Sequence, residues 1–214
     1  MFRVLITTGL RLGELLCLQT GDHSLDLNAT RPAIHVRRVR EKDRALDGRR
    51  SPPGQKTIER TVFITNELAA EIDAYIKGPR REAAPARKHG FLFVNHRRGE
   101  TWGAPMSYAA WESAISVLKK TDGPLLGAVR AHGFRHTYAY LLNKRIDAYN
   151  DKLRHAPVPG KQPLNEKQRQ QVLMEVMGWT DPNSAQPYLR RYIKEEVDAV
   201  TMQRTEEMTK YICF

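Results

Sequence analysis

Arg11 and Glu14 stand three residues apart in a leucine-rich run, T-G-L-R-L-G-E-L-L from Thr8 to Leu16. On a helix that spacing puts both at the rim of one face, where Glu14 is expected to orient the Arg11 guanidinium. His132 precedes Arg135 by three in H-G-F-R-H-T, so a helix or tight turn brings the two to the same side. A guanidinium offers a rigid fork of donors suited to an oxyanion, and an imidazole can donate to one or manage a proton. Tyr188 follows Trp179 by nine residues, and Tyr192 comes four later. A phenol can act as a covalent nucleophile, and the i,i+4 spacing leaves both tyrosines open for that role. Lys56 lies where a Gly/Pro-rich loop re-enters a strand pattern; a solvated surface charge is the plainer reading of a lysine there.

The 214 residues carry 35 Lys+Arg against 24 Asp+Glu, a formal charge of +11. Hydrophobic residues at 41% and charged residues at 28% describe an ordinary folded chain long enough for one full core, outside the disordered, collagen-like and membrane classes. The basic excess is uneven: Arg37 to Arg60 holds nine Lys/Arg and four acids, whereas Glu195 to Phe214 holds five acids and two bases. Such polarity points to a polyanion at the first region, and nucleic acid suits it best because phosphates reward a basic surface with both affinity and steering. Two cysteines, Cys17 and Cys213, are too few and too far apart for a disulfide scaffold, which favours a reducing compartment. No basic leader followed by a long apolar stretch opens the chain, so secretion and membrane spanning are not expected.

The elements that must position these side chains are mostly helical. Met1 to Thr8 reads as the end of a helix that begins inside an apolar run without a cap, so the chain is expected to start mid-protein. Gly9 turns it, and Leu12, Leu15, Leu16 and Cys17 give the next helix a buried face. Ala33–Val39 and Arg60–Ile64 alternate as an antiparallel pair joined by the loop containing Asp47, Gly48, Pro52, Pro53 and Gly54. Thr65 caps a helix over 66–76 that Gly78 and Pro79 close. A basic loop over 80–88, a third strand at Phe91–Val94 and a helix from Ser107 to Lys119, burying Ala110, Trp111, Ala114, Ile115 and Leu118, follow. A helix begins near His132. The polar, basic stretch 143–171, interrupted by Pro157, Pro159, Gly160 and Pro163, reads as an inserted loop region. The spacing then predicts a helix over 166–177 ending at Gly178, a helix start at Asp181-Pro182, an amphipathic helix over 190–200 with Ile193, Val197 and Val200 in phase, and a short tail.

Four of these features, T-G-L-R-L-G-E-L-L, the hairpin lysine, H-G-F-R-H-T and the G-W that leads to Tyr188, occur in an order that resembles the catalytic domain of the tyrosine recombinases, the phage-integrase family. The resemblance implies the integrase catalytic fold, mainly α with a small antiparallel β-sheet, and a metal-free and cofactor-free cleavage of DNA. In it Arg11 and Arg135 hold the scissile phosphate and stabilise charge building on its oxygens. His132 donates to the phosphate or handles a proton, and His136, one residue past Arg135, is expected to face elsewhere. Trp179 fills a family position usually occupied by histidine or tryptophan, and either contacts the phosphate or buttresses the nucleophile. Tyr188 attacks phosphorus, leaving a 3'-phosphotyrosine and a free 5'-hydroxyl, and Lys56 protonates the departing oxygen. Lys56 precedes Arg60 by slightly less than the family's usual spacing, with Lys42 as a distant fallback.

The resemblance further implies a site-specific recombinase that acts as a homotetramer on two synapsed double-stranded DNAs, in a cytoplasmic, bacterial or phage-like setting. The segment 189–214 would serve as the helix and tail that docks on a neighbour. The family's amino-terminal DNA-clamping domain has no counterpart within these residues. A type IB topoisomerase uses similar chemistry, and a DNA-binding regulator could keep the fold without catalysis; both remain alternatives.

Overall fold

The computed structural model describes residues 1–54, 58–121, 123 and 127–212. The chain packs as two compact units, the first made of Met1–Tyr138 with Val176–Gly178, the second of Ala139–Glu175 with Trp179–Phe214. Composition alone suggests one core. The division falls inside a single long helix, which no composition shift marks.

In the first unit, α1 (Phe2–Thr8) ends at Gly9, whose φ of 64° places it in the left-handed region. The chain re-enters helix as α2 (Leu12–Cys17), with Arg11 at its N-cap in extended conformation. Three short strands, β1 (Leu25–Asp26), β2 (Ala33–Val36) and β3 (Arg60–Phe63), form an antiparallel sheet in that order. The expected β2–β3 pair is present in register Ile34↔Val62 and Val36↔Arg60. Its third strand is β1, and not Phe91–Val94. That segment makes only isolated bridges, Gln19↔Phe91 and Val94↔Pro105. Phe91, Leu92, Phe93 and Val94 are all buried, so the run has no solvent face to alternate with and threads the core.

The first core gathers Leu5, Leu10, Leu15, Ile34, Val62, Leu68, Ile72, Leu92 and Trp111. Helix α3 (Glu41–Ala45) lies within the connection between the two expected strands, and α4 (Asn66–Tyr75) is capped by Thr65, whose hydroxyl accepts from the Leu68 amide at 3.3 Å. Gly78 and Pro79 do not close α4; a π-turn over Ile76–Arg80 carries the helix past them. The wider turn tolerates a proline because fewer backbone amides need an i−4 acceptor there. Helix α5 (Tyr108–Thr121) buries only Trp111 and Ile115. The expected Ala114 and Leu118 are exposed and Ala110 is half-buried, because only a narrow i,i+4 face meets the core.

Two arginines of the basic segments, Arg49 and Arg80, are internal struts. Arg49 pairs with Asp47 through Nε at 2.7 Å and Nη2 at 2.6 Å, and its Nη1 donates to the Leu16 and Met106 carbonyls. Arg80 donates to the carbonyls of Phe91, Ala86 and His89. Each guanidinium therefore satisfies buried loop carbonyls that have no ladder partner.

Helix α6 (Ala131–His155) begins in the first unit and continues into the second, where α7 (Glu166–Met177), a 3-10 turn (Pro182–Ala185) and α8 (Gln186–Ile212) follow. Residues 143–155 thus belong to a continuous helix; only 156–165 is an excursion. The periodicity was hidden because two of its inward positions are polar. Ala139, Asn143, Ile146, Asn150 and Leu153 are buried at alternating spacings of four and three. Asn143 satisfies itself on the Ala139 carbonyl at 3.0 Å. Asn150 exchanges two bonds with the Leu164 backbone, at 3.0 and 2.7 Å, which ties the excursion to α6.

The helix start at Asp181-Pro182 is present, with the Asp181 carboxylate accepting from the Asn183 amide at 2.9 Å. The last helix extends well beyond residue 200, to Ile212, instead of giving way to a tail. Among the described residues no helix is long and apolar enough to cross a membrane.

Candidate catalytic site

In the first unit, Arg11, His132 and Arg135 border one cavity of about 390 Å³, together with Gly13, Glu14, Gly54, Tyr108 and Ala131. The chain separation of more than a hundred residues is closed by the Gly9 turn, whose carbonyl accepts from Arg135 at the start of α6. Glu14, the third residue of α2, is 2% exposed. Its Oε2 accepts the Arg11 backbone N–H at 2.8 Å, an N-cap bond that fixes how the chain enters the helix. Its Oε1 lies 3.6 Å from Arg11 Nη1. Both carboxylate oxygens also accept from Arg60, at 3.0 and 2.9 Å, and Arg135 Nη1 stands 4.0 Å away. Glu14 therefore does more than orient Arg11: it compensates three guanidiniums at one wall of the cavity. Neither Arg60 nor this sharing was signalled by spacing.

Arg135 is 1% exposed. Its Nη1 donates to the Gly9 carbonyl and its Nη2 to the Met177 carbonyl, each at 2.6 Å. It thereby locks the left-handed Gly9 turn and the end of α7 to the first turn of α6. Arg11 is more open, at 39% side-chain exposure, so it is the guanidinium that reaches toward solvent. Tyr108, which belongs to no motif, also borders a second cavity of about 1110 Å³ floored by α5. The larger cavity brings Arg50, His96 and Arg97 together but contains none of the anticipated reactive groups.

His132 occupies the first turn of α6, adding an imidazole and the positive end of the helix dipole to the cavity. Burial first, then the Arg135 and Arg11 charges, lowers its pKa below the ordinary 6.5, so at neutral pH it is the neutral ring. His136 does not face elsewhere. Its ring meets His132 edge-on with centroids 4.5 Å apart, because it lies four residues beyond His132, and that spacing outweighs its adjacency to Arg135. Lys56 lies outside the described residues. The fallback Lys42 is exposed on α3. Cys17 is buried, with burial pushing its thiol up to about 11. Among the described residues no group of three or more His, Cys, Asp or Glu is placed to hold a metal ion.

In the second unit, the Trp179 and Tyr188 rings pack with centroids 4.7 Å apart at 41°. Tyr188 is the third residue of α8 and is buried. Tyr192, one turn later, donates its hydroxyl to Asp147 of α6. Burial first, then that carboxylate, pushes its phenol far above the ordinary range. Asp147 moves the other way: burial works to raise it, but the hydrogen bonds from Arg169 and Tyr192 hold it below the ordinary carboxylate value. A proton transfer from Tyr192 to Asp147 is thus doubly disfavoured. The Tyr192 proton is committed to a structural bond.

The sequence model of the phage integrase family matches residues 1–150. Among solved structures, the chain is similar to the Tn1549 transposon integrase in complex with transposon right end DNA, at 19% identity and a TM-score of 0.54, covering 94% of this chain and 57% of that one. The same integrase in complex with a circular intermediate DNA gives 19% identity and a TM-score of 0.56, covering 93% of this chain and 57% of that one. The XerH site-specific recombinase bound to palindromic difH substrate gives 18% identity and a TM-score of 0.56, covering 95% of this chain and 44% of that one. The chain thus spans about half the length of these solved relatives. No curated protein sequence matches it. With most of its length matched by the family model, and with a mainly α fold carrying a three-stranded antiparallel sheet, the chain belongs to the phage integrase family, the tyrosine recombinases, and has the fold of their catalytic domain.

Proposed function

We propose that this chain breaks and rejoins double-stranded DNA at specific sites through a covalent 3'-phosphotyrosine. Family membership supports the reaction class, and one observation carries the assignment of the phosphate site: Arg11, His132 and Arg135 border a single cavity backed by the Glu14 carboxylate. The guanidiniums of Arg11 and Arg135 take the non-bridging oxygens, and bind more strongly as negative charge grows on them in the transition state. His132, neutral at pH 7, donates one further hydrogen bond to the same phosphate.

The Tyr188 oxygen forms the new bond to phosphorus while the bond to the 5'-oxygen breaks. The phenolic proton passes to solvent water as the new bond forms, and Lys56 supplies a proton to the departing oxygen. Trp179 holds the Tyr188 ring by packing and takes no proton. Rejoining reverses these steps, and because the phosphotyrosine retains the phosphodiester energy no nucleotide cofactor is consumed. The basic residues exposed on the first unit, Arg37, Arg38, Arg81, Arg97 and Arg98 among them, supply backbone contacts with little sequence information. A homotetramer on two synapsed duplexes is the working assembly of this reading.

The test mixes the protein with a random-sequence library of nicked duplexes and recovers DNA that stays attached after denaturation. Wild type is expected to form an adduct that Tyr188→Phe does not, with the linked peptide mapping to Tyr188. Apparent affinity is expected to fall steeply with salt, by about 0.9 in log–log slope for each phosphate neutralised. An adduct persisting in Tyr188→Phe overturns the nucleophile. Relaxation of supercoils without site preference replaces the recombinase reading by the topoisomerase one.

A further inference from the structure

Among the described residues of α8, Tyr188, Leu189 and Tyr192 are buried, all within its first two turns, whereas Ile193, Val197 and Val200 stand 56%, 56% and 65% exposed. The Trp179 ring packs on that of Tyr188. Apolar burial of Leu189 is non-directional and sets depth without setting rotation. The ion pair between Lys144 and Glu196 is solvent-exposed, so it adds little. Tyr192 makes a directional attachment: its ring lies 5.6 Å from that of Tyr140, and its hydroxyl donates to Asp147. Asp147 is gripped in turn by Arg169 of α7, whose guanidinium also reaches the Asn143 side chain at 3.4 Å. One carboxylate thus joins α6, α7 and α8.

We propose that Asp147 and Arg169, acting through the Tyr192 hydroxyl, are positioning residues that set the rotation of the first turns of α8 and so the direction in which Tyr188 presents its hydroxyl. Hydrogen bonds to an ionised group tolerate little angular error, and Tyr192 shares the helical face of Tyr188 one turn away. Rotating α8 at one tyrosine therefore rotates the other. In-line attack at phosphorus rewards such alignment, since a small misplacement of a reacting atom slows the chemical step without weakening binding. The inference rests on the assignment of Tyr188 as nucleophile.

The experiment uses nicked duplexes captured covalently by the wild-type protein. Single-turnover adduct formation at saturating DNA, DNA affinity and thermal melting are measured for Tyr192→Phe, Asp147→Asn and the double variant. Tyr192→Phe keeps the ring against Tyr140 and removes only the hydroxyl. The expected result is an adduct rate about tenfold lower in each single variant, unchanged Kd and melting temperature, and a double variant no slower than the slower single one. A Tyr192→Phe rate within about twofold of wild type, independent losses that multiply in the double variant, or rate losses that track melting temperature would each overturn the clamp. Tyr188→Phe, run alongside, separates the failures. If it abolishes the adduct while Tyr192→Phe matches wild type, only the clamp falls; if the adduct maps to Tyr192, both assignments fall.

Discussion

The Glu14 carboxylate receives Arg60 Nη1 on one oxygen at 3.0 Å and Nη2 on the other at 2.9 Å, with side chains 2% and 8% exposed. Arg60 also donates Nε to the Val176 carbonyl at 3.0 Å, so the pair ties β3 to the end of α7. Breaking such a buried pair strands its partner: Glu14→Gln leaves Arg60 and its neighbours Arg11 and Arg135 without compensating charge. The expected loss is about 3–5 kcal/mol in urea unfolding, and replacing Glu14 and Arg60 together by methionine should cost less than Glu14→Gln alone. Equal losses in the two variants would mean that the cluster does not act as a unit.

Gly9 is required twice over. Its φ of 64° strains any residue with a Cβ, and a Cβ built there would fall 2.4 Å from Tyr138 Cδ1. Its carbonyl is also the acceptor for Arg135. Gly9→Ala is expected to destabilise the protein by about 2 kcal/mol or more. It should also slow adduct formation, because the ring displacement and the Arg135 attachment share one turn. Chemical denaturation and the adduct assay check the two effects separately.

Acid sensitivity should begin at the histidines. His35, His89, His96 and His132 all have folded pKa values lowered from 6.5, in each case by burial first. The unfolded chain then takes up protons before the folded one, so stability is full above about pH 6.5 and declines as pH falls toward the lower folded values. Asp43 and Asp147 are held below 3.8, and their contribution is lost only further down. Urea midpoints should therefore drop as pH falls below about 6.5, and His132→Asn should flatten part of that slope. A flat profile below that pH contradicts the reading that partial desolvation lowers these histidines.

The two bonds between Asn150 and the Leu164 backbone make a local prediction. Asn150→Leu leaves a partly buried amide and carbonyl unpaired, at an expected cost of about 2 kcal/mol. Because the tether is local, limited proteolysis within 156–165 should accelerate more than the unfolding midpoint falls. Unchanged cleavage there would show that other contacts hold the excursion.

Much of the fold was legible because its signals are local. Gly9 and Gly178 stop helices in the left-handed conformation, Thr65 and Asp181 cap them, and β2 and β3 alternate; each needs only near neighbours in the chain to act. The pairing of His132 with Arg135 beside one cavity followed from a three-residue step. Local reasoning misjudged α6 because Asn143 and Asn150 occupy inward positions that an apolar pattern cannot show. Nor could it show that Arg49 and Arg80 are claimed by main-chain carbonyls.

The amino-acid order by itself determined which chemical groups are present, where helices begin and end, and an excess of positive charge. Only the tertiary structure decided which guanidiniums share Glu14, and which tyrosine donates its hydroxyl hydrogen bond to Asp147. Those outcomes depend on partners 46 residues away for Arg60 and 45 for Tyr192. A buried charge must be satisfied by whatever the packing brings to it, and periodicity carries no record of that choice.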